Sequence, residues 1–282
     1  MRMIFLLLLM LIARVSGVDA QSDITKLSVT YEVHYQKVEE VAKHEKDLMR
    51  LDIGEHSSQY VSIIGEFLTK HRSDIIAKRI KNPYAAYAPL HDEVFKNTPN
   101  EGYMRFIHMP GWVSCREKME GMFSWQLQDG DSIVCSYPCH KATATFRGRT
   151  WTVWYTLDLP YSDGPWKFCG LPGLVLYAYD SEDKFRFNCI GIEKGDGHEI
   201  KMKMPKSGFI ETFMPERVAE IMMLECWDRS AHLSQITGMA ARVTRMWDAQ
   251  GNEIKIFPQT RILYEKFPGI NIKKKKNIKK KK

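Results

Sequence analysis

Beyond its first dozen residues the chain has no long apolar run, and it carries none of the short signatures of the common hydrolases. G-x-S-x-G is missing, so no nucleophile elbow is spelled out, and H-E-x-x-H is missing, so no helical zinc pair is either. No S-x-x-K is supported by its partner motifs. There is no C-x2-C pair and no two histidines stand at ligand spacing, so no metal and no cofactor are expected. No Pro/Gly/Ser-rich linker, composition break or internal repeat divides the chain, and a single domain over 21–270 is expected. Positive charge is also missing where a nucleic-acid binder would need it. The net charge is +7. Eight lysines lie in the last ten residues and the first twenty carry one net positive charge, which leaves the body about two units negative. The electrostatic footprint of a nucleic-acid partner is therefore absent from the body.

What is present begins with a leader. Arg2 precedes the apolar stretch Ile4–Ile12, and Val18-Asp19-Ala20 supplies small residues at a cleavage site, the layout of a secretory signal peptide over 1–20. Cleavage is expected after Ala20, with the mature chain periplasmic or secreted and without a transmembrane segment. No Cys follows the apolar stretch, which argues against a lipid anchor. Residues 271–282 are a block of like charge and are expected to be disordered. The six cysteines, Cys115, Cys135, Cys139, Cys169, Cys189 and Cys226, are even in number, as a disulfide-permissive compartment allows. Read as one continuous strand, 132–149 puts Cys135 and Cys139 about 13 Å apart. A disulfide needs Cα atoms within about 7 Å, so that reading excludes this pair. His140 would point away from Cys139 on the same strand, so the two do not make a nucleophile and its base.

Period-two alternation dominates the chain. Leu27, Val29, Tyr31 and Val33 share one face of a strand, and further strands follow over 47–54, 58–65 and throughout 93–193. "QDGDS", "RGRT" and "DSEDK" read as hairpin turns. Helical spacing occurs over Glu66–Ile80 and Met214–Arg229, and Thr244–Phe257 reads as a closing hairpin. The expected fold is mainly β: a single curved antiparallel sheet or open barrel with two or three covering helices, an α+β arrangement.

The stretch from Cys139, Lys141 and Ala142 through Arg147-Gly148-Arg149, Trp154, Gly164 and Trp166 to Gly170-Leu171-Pro172-Gly173-Leu174-Val175 resembles the GLPGLI family. That family consists of exported proteins of Gram-negative bacteria without an established molecular function. The resemblance implies export and a β-rich domain, and it implies no reaction. The motif itself reads as a rigid corner. Pro172 restricts its own φ and that of Leu171, and Pro-Gly suits a type II turn with Gly173 at positive φ. Leu174, Leu176 and Ala178 then face one side of the next strand, opposite Val175, Tyr177 and Tyr179.

Candidate ligand-binding residues are Arg147, Arg149, Trp154, Asp158, Asp163 and Trp166. The two arginines, two apart, emerge on one face and suit a carboxylate or phosphate, or pair with Asp158, Asp163 or Asp180. The aromatics suit a sugar ring, a lipid tail or a peptide, or serve as core. Asp158 and Asp163 are carboxylates fit for shared acid–base work, but no catalytic residue is singled out. The composite expectation is a binding or carrier module taking a small ligand, peptide or lipid. The competing classes are an envelope hydrolase and a structural partner of an outer-membrane complex.

Overall fold

The structure, a computed structural model, describes residues 23–37, 42–81, 83, 90, 92–108, 113–202, 210–216, 218–219 and 265–266. The leader, the Lys-rich tail, the hairpin expected at Thr244–Phe257 and Cys226 lie outside these residues. In chain order the strands are β1 (Asp23–Ile24), β2 (Leu27–Gln36), β3 (His44–Ile53), β4 (Ser58–Ser62), β5 (Asp92–Lys96), β6 (Tyr103–His108) and β7 (Val113–Lys118). Then come β8 (Gln126–Val134), β9 (Tyr137–Phe146), β10 (Arg149–Thr156), β11 (Leu174–Asp180), β12 (Phe185–Lys194), β13 (Glu199–Ile200) and β14 (Ile210–Thr212). Twelve strands form one sheet in the order β14-β7-β6-β5-β4-β3-β2-β12-β11-β10-β9-β8, and β1 pairs with β13 separately. All pairs in the large sheet are antiparallel except β14 with β7. Two meanders, β2 to β7 and β8 to β12, are thus joined along β2 and β12.

The sheet is open but cannot be flat. β7 and β8 stand ten places apart in the order, about 48 Å on a flat sheet. Only Met119–Trp125 connects them, and a seven-residue link spans about 28 Å at most. The sheet must therefore curl. Its concave face holds the core: Val29, Tyr31 and Val33 of β2, Met49 and Leu51 of β3, Val94 of β5, Phe106 of β6, and Trp151 and Val153 of β10 are all buried. Alternation in the sequence maps directly onto this face because β2 pairs with β3 without a register shift, Val29 opposite Leu51 and Tyr31 opposite Met49.

The Pro/Gly-rich segment fills the concavity rather than merely turning the chain. Trp166, Phe168, Cys169 and Leu171 are buried in the main core cluster. Trp166 packs at 5.4 Å from Trp151 and 5.4 Å from Phe168. The β7–β8 link closes over them, with Phe123 stacked on Trp125 at 4.9 Å and the Trp125 indole N–H donating to the Cys169 carbonyl at 2.8 Å. Gly170 takes the left-handed conformation (φ 88°), and Gly173 does not. The expected type II turn centred on Pro172-Gly173 is thereby corrected. Gly173 is required for space, since a Cβ there would lie 2.0 Å from the Thr156 carbonyl oxygen.

Three further expectations change. The helix α1 spans Ile63–Ile76, starting three residues before the expected Glu66. Ser62 caps it, its hydroxyl accepting from the Gly65 N–H at 2.9 Å, so Ile63 and Ile64 leave the strand they seemed to continue. Of the second expected helix, Met214–Arg229, five residues are described: Met214 is not helical, and Pro215, Glu216, Val218 and Ala219 are. The turn expected at "QDGDS" lies inside β8, where the pairing slips between Gln128 and Asp131 and Gly130 takes φ 131°. The chain instead reverses at Cys135-Ser136, both at positive φ (47° and 69°). The premise of one continuous strand through Cys135 and Cys139 therefore fails, and with it the exclusion drawn from it.

Candidate functional site

On the convex face, strand alternation and register assemble an aromatic shelf. Trp154 of β10 is the Cα partner of Tyr177 on β11, and on its other side faces Lys141 of β9. Tyr177 faces Asn188 of β12, and two residues along, Tyr179 lies between Thr152 and Arg186. Because period two puts Tyr177 and Tyr179 on one face, their rings meet at 5.7 Å, and all three aromatics are half-buried. A shallow cleft of about 520 Å³ opens here, lined by Trp154, Tyr177, Tyr179, Asp180, Asp183 and Arg186. The Lys141 ammonium stands 6.0 Å from the Trp154 ring centre, and the Arg186 guanidinium pairs with Asp183 at 2.7 Å. Partial burial pushes the Tyr177 phenol up while Arg186 draws it down. The shelf thus combines flat apolar faces with a charged, hydrogen-bonding rim.

Of the six candidates read from the sequence, this cleft takes only Trp154. Trp166 is 2% exposed inside the aromatic core and does not line the cleft. The arginine clamp is corrected. Arg147 (φ 45°) and Gly148 form the β9–β10 turn, so strand alternation does not relate Arg147 to Arg149. Arg147 pairs with Glu117 of β7 and, at 2.8 Å, with Glu265. Arg149 is buried, paired with Asp180 and, at 3.3 Å, with Glu182. Asp158 and Asp163 part company as well: Asp158 is exposed, whereas Asp163 turns inward to the Lys96 ammonium at 2.5 Å and accepts from the Ser58 hydroxyl at 2.5 Å. Lys96 also donates to the carbonyls of Gly164 and Phe168 at 2.8 and 2.9 Å, so this buried pair pins the Pro/Gly segment to β5. Neither geometry leaves two carboxylates facing a common substrate.

A second polar group sits at the far end of the concave face, where Asp92 pairs with His108 across β5 and β6. Nearby, burial pushes the Asp47 carboxyl up to about 6, against hydrogen bonds from the N–H groups of Leu90 and Leu48 and the Ser62 hydroxyl. A carboxyl whose pKa is raised by folding stabilises fully below its unfolded value, near 3.9, and loses that contribution as pH rises through about 6. We expect denaturation midpoints to show this loss between pH 4 and 7, and Asp47→Asn to flatten it. An unchanged slope in Asp47→Asn would refute the assignment. Asp47, Asp92 and His108 are all buried and face the core, which sets them apart from the open shelf.

An open, mainly β sheet with a filled concave face and an aromatic cleft outside it defines a β-rich protein with a surface suited to binding. The sequence profile described as "Protein of unknown function (Porph_ging)" matches residues 147–177, the stretch that holds both the Pro/Gly segment and Trp154. This is not the GLPGLI family that the motif resembles, and the resemblance is corrected accordingly. No curated protein matches the chain. Among solved structures, PNGF-II in its P21 and C2 crystal forms is similar over 69% and 68% of this chain, at a TM-score of 0.41 and 14% identity in each. The chain spans about a third (32%) of those structures. MucB is similar over 70% of this chain and 59% of its own, with a TM-score of 0.28 and 11% identity. The LolA superfamily protein NE2245 from Nitrosomonas europaea is similar over 62% and 88%, with a TM-score of 0.24 and 9% identity. These likenesses are distant.

Tyr177, Tyr179, Arg186, Lys141 and Asn188 are not among the ligand-binding candidates read from the sequence. Alternation in "GLVLYAYD" places the two tyrosines together, but their meeting with Trp154 depends on the β10–β11 register.

Proposed function

We propose that the chain is an exported binding module whose convex face takes carbohydrate. The observation that carries this reading is the shelf of Trp154, Tyr177 and Tyr179. Flat aromatic faces suit the C–H surface of a sugar ring, while Lys141, Asn188, Asp183 and Arg186 at the rim suit its hydroxyls. A lipid tail fits less well, because a carrier of acyl chains needs an enclosed apolar cavity. Here the concave face is occupied by Trp151, Trp166, Phe168 and Leu171. Export rests on the leader Arg2–Ala20 and is part of the proposal.

The test is titration calorimetry against soluble envelope and extracellular polysaccharides and their oligosaccharides. Loss of one stacking ring is worth on the order of 1.4 kcal/mol, so Trp154→Ala should bind about tenfold more weakly. Trp154 is half-buried and packs against the core from its edge, so the variant's melting temperature is to be measured alongside, and the affinity compared at a temperature where both chains are folded. Failure of the parent to bind any saccharide, or equal affinity in Trp154→Ala, would overturn the reading.

A further inference from the structure

Three cysteines converge at one end of the sheet. Cys135 lies in the β8–β9 turn, Cys139 on β9 and Cys189 on β12. In the sheet order β10 and β11 separate β9 from β12, so the two cysteines are not sheet neighbours; they meet at the main core cluster, which contains Cys189 and against which Cys135 packs. The Cys135 thiol donates to the Cys189 carbonyl at 3.0 Å, and the two thiols interact electrostatically. Cys139 is turned to a different partner, the Tyr137 carbonyl of its own strand, at 3.5 Å. Cys189 is buried and Cys135 is half-buried.

We propose that Cys135 and Cys189 form an oxidisable pair whose disulfide pins the β8–β9 hairpin to β12. The oxidant is a disulfide, either a small-molecule one or that of an oxidoreductase. The Cys135 thiol is the more accessible, and after losing its proton it attacks one sulfur of that disulfide. A bond forms between Cys135 and the oxidant, and the other sulfur leaves as a thiolate that takes up a proton. Cys189 then loses its proton and attacks the Cys135 sulfur, closing the intramolecular bond and releasing the second thiolate, which is protonated in turn. The protein gives up two electrons and two protons, and the oxidant ends as two thiols. Burial pushes the Cys189 thiol up and keeps it mostly protonated, and in the second, intramolecular step proximity to the mixed disulfide offsets that.

The hairpin so pinned bears on the aromatic shelf. A Cβ built on Gly130, in the slip of β8, would lie 3.6 Å from the tip of the Trp154 ring. The crosslink therefore steadies the strand pair that flanks Trp154, although the chemistry of the pair does not depend on what the shelf binds.

The experiment uses the full chain, reduced, then equilibrated with oxidised glutathione, alkylated under denaturing conditions and mapped by peptide mass spectrometry. The expected result is joint loss of Cys135 and Cys189 from the alkylated pool and their recovery as one linked peptide pair, with Cys115 and Cys169 still alkylated. The oxidised chain should melt several degrees above the reduced one, and Cys135→Ser should abolish the difference and return Cys189 to the alkylated pool. Full alkylation of Cys135 and Cys189 after oxidation overturns the proposal, as does recovery of Cys135 linked to Cys139 or Cys226.

Discussion

Gly173→Ala is expected to abolish cooperative folding or to cost more than about 3 kcal/mol. The added methyl would sit 2.0 Å from the Thr156 carbonyl oxygen and 2.7 Å from its carbon, where no side chain can swing aside. Thr156 is the last residue of β10, and Leu174 begins β11 with its N–H bonded to the Leu159 carbonyl at 3.0 Å. Relief would therefore require one strand end to move off the other. Because Gly173 lies outside the left-handed region, Gly173→Asn gains nothing from the tolerance of Asn for positive φ. Gly170 is the contrasting case. It does have positive φ, but its nearest neighbours are Trp125 atoms at 3.7 and 3.8 Å, so Gly170→Ala should cost only about 1 kcal/mol and Gly170→Asn less. Thermal melts of the four variants separate the two causes. A wild-type melt for Gly173→Ala would show that β10 and β11 do not approach as described.

The second large effect is expected at Lys167. Its ammonium is buried between the carboxylates of Glu117 on β7 and Glu265, and Arg147 bridges the same two acids. Lys167→Met leaves two buried carboxylates to a single partner, and breaking such a group from one side costs about 3–5 kcal/mol. The pH dependence follows from the same contacts. Burial pushes the Glu117 carboxyl up, but Lys167 and Arg147 outweigh it and hold the group below the ordinary glutamate range. A carboxyl depressed in the folded state stabilises fully above its unfolded value, about 4.3, and that contribution is lost as pH falls through the folded value. Wild-type denaturation midpoints should therefore drop on acidification below about pH 4, with a shallower drop in Lys167→Met. Equal midpoints at neutral pH, or parallel acid limbs, would show that the network contributes nothing to stability.

Little of this charge network was legible beforehand. Lys167 and Glu117 are fifty residues apart, and nothing near either in sequence marks a partner. Arg147 and Arg149 were conspicuous because they alternate, yet the turn at Arg147-Gly148 sends them to different acids. The hairpin at Cys135-Ser136 was equally hidden. Two consecutive left-handed residues usually announce themselves as Asn-Gly or Asp-Gly, and here the Asp-Gly pair is spent on an irregularity within β8.

The sequence by itself determined which residues of β2 and β11 share a face. In β2, Val29, Tyr31 and Val33 had to share one side, which is buried, and in β11, Tyr177 and Tyr179 had to share one side, which is half-buried, because the pleat has a period of two whatever the partner strand. It also determined that the chain could not run straight through Gly170-Leu171-Pro172-Gly173. Tertiary structure decided the rest: that this corner is driven into the concavity as core, that Gly173 is excluded from bearing a side chain by Thr156, that Trp154 stands beside Tyr177, and that Cys135 meets Cys189. Each of these depends on register between distant strands and on the curl of the whole sheet. Local φ/ψ preferences and side-chain alternation do not encode such quantities, which settle only when the two meanders close on one core.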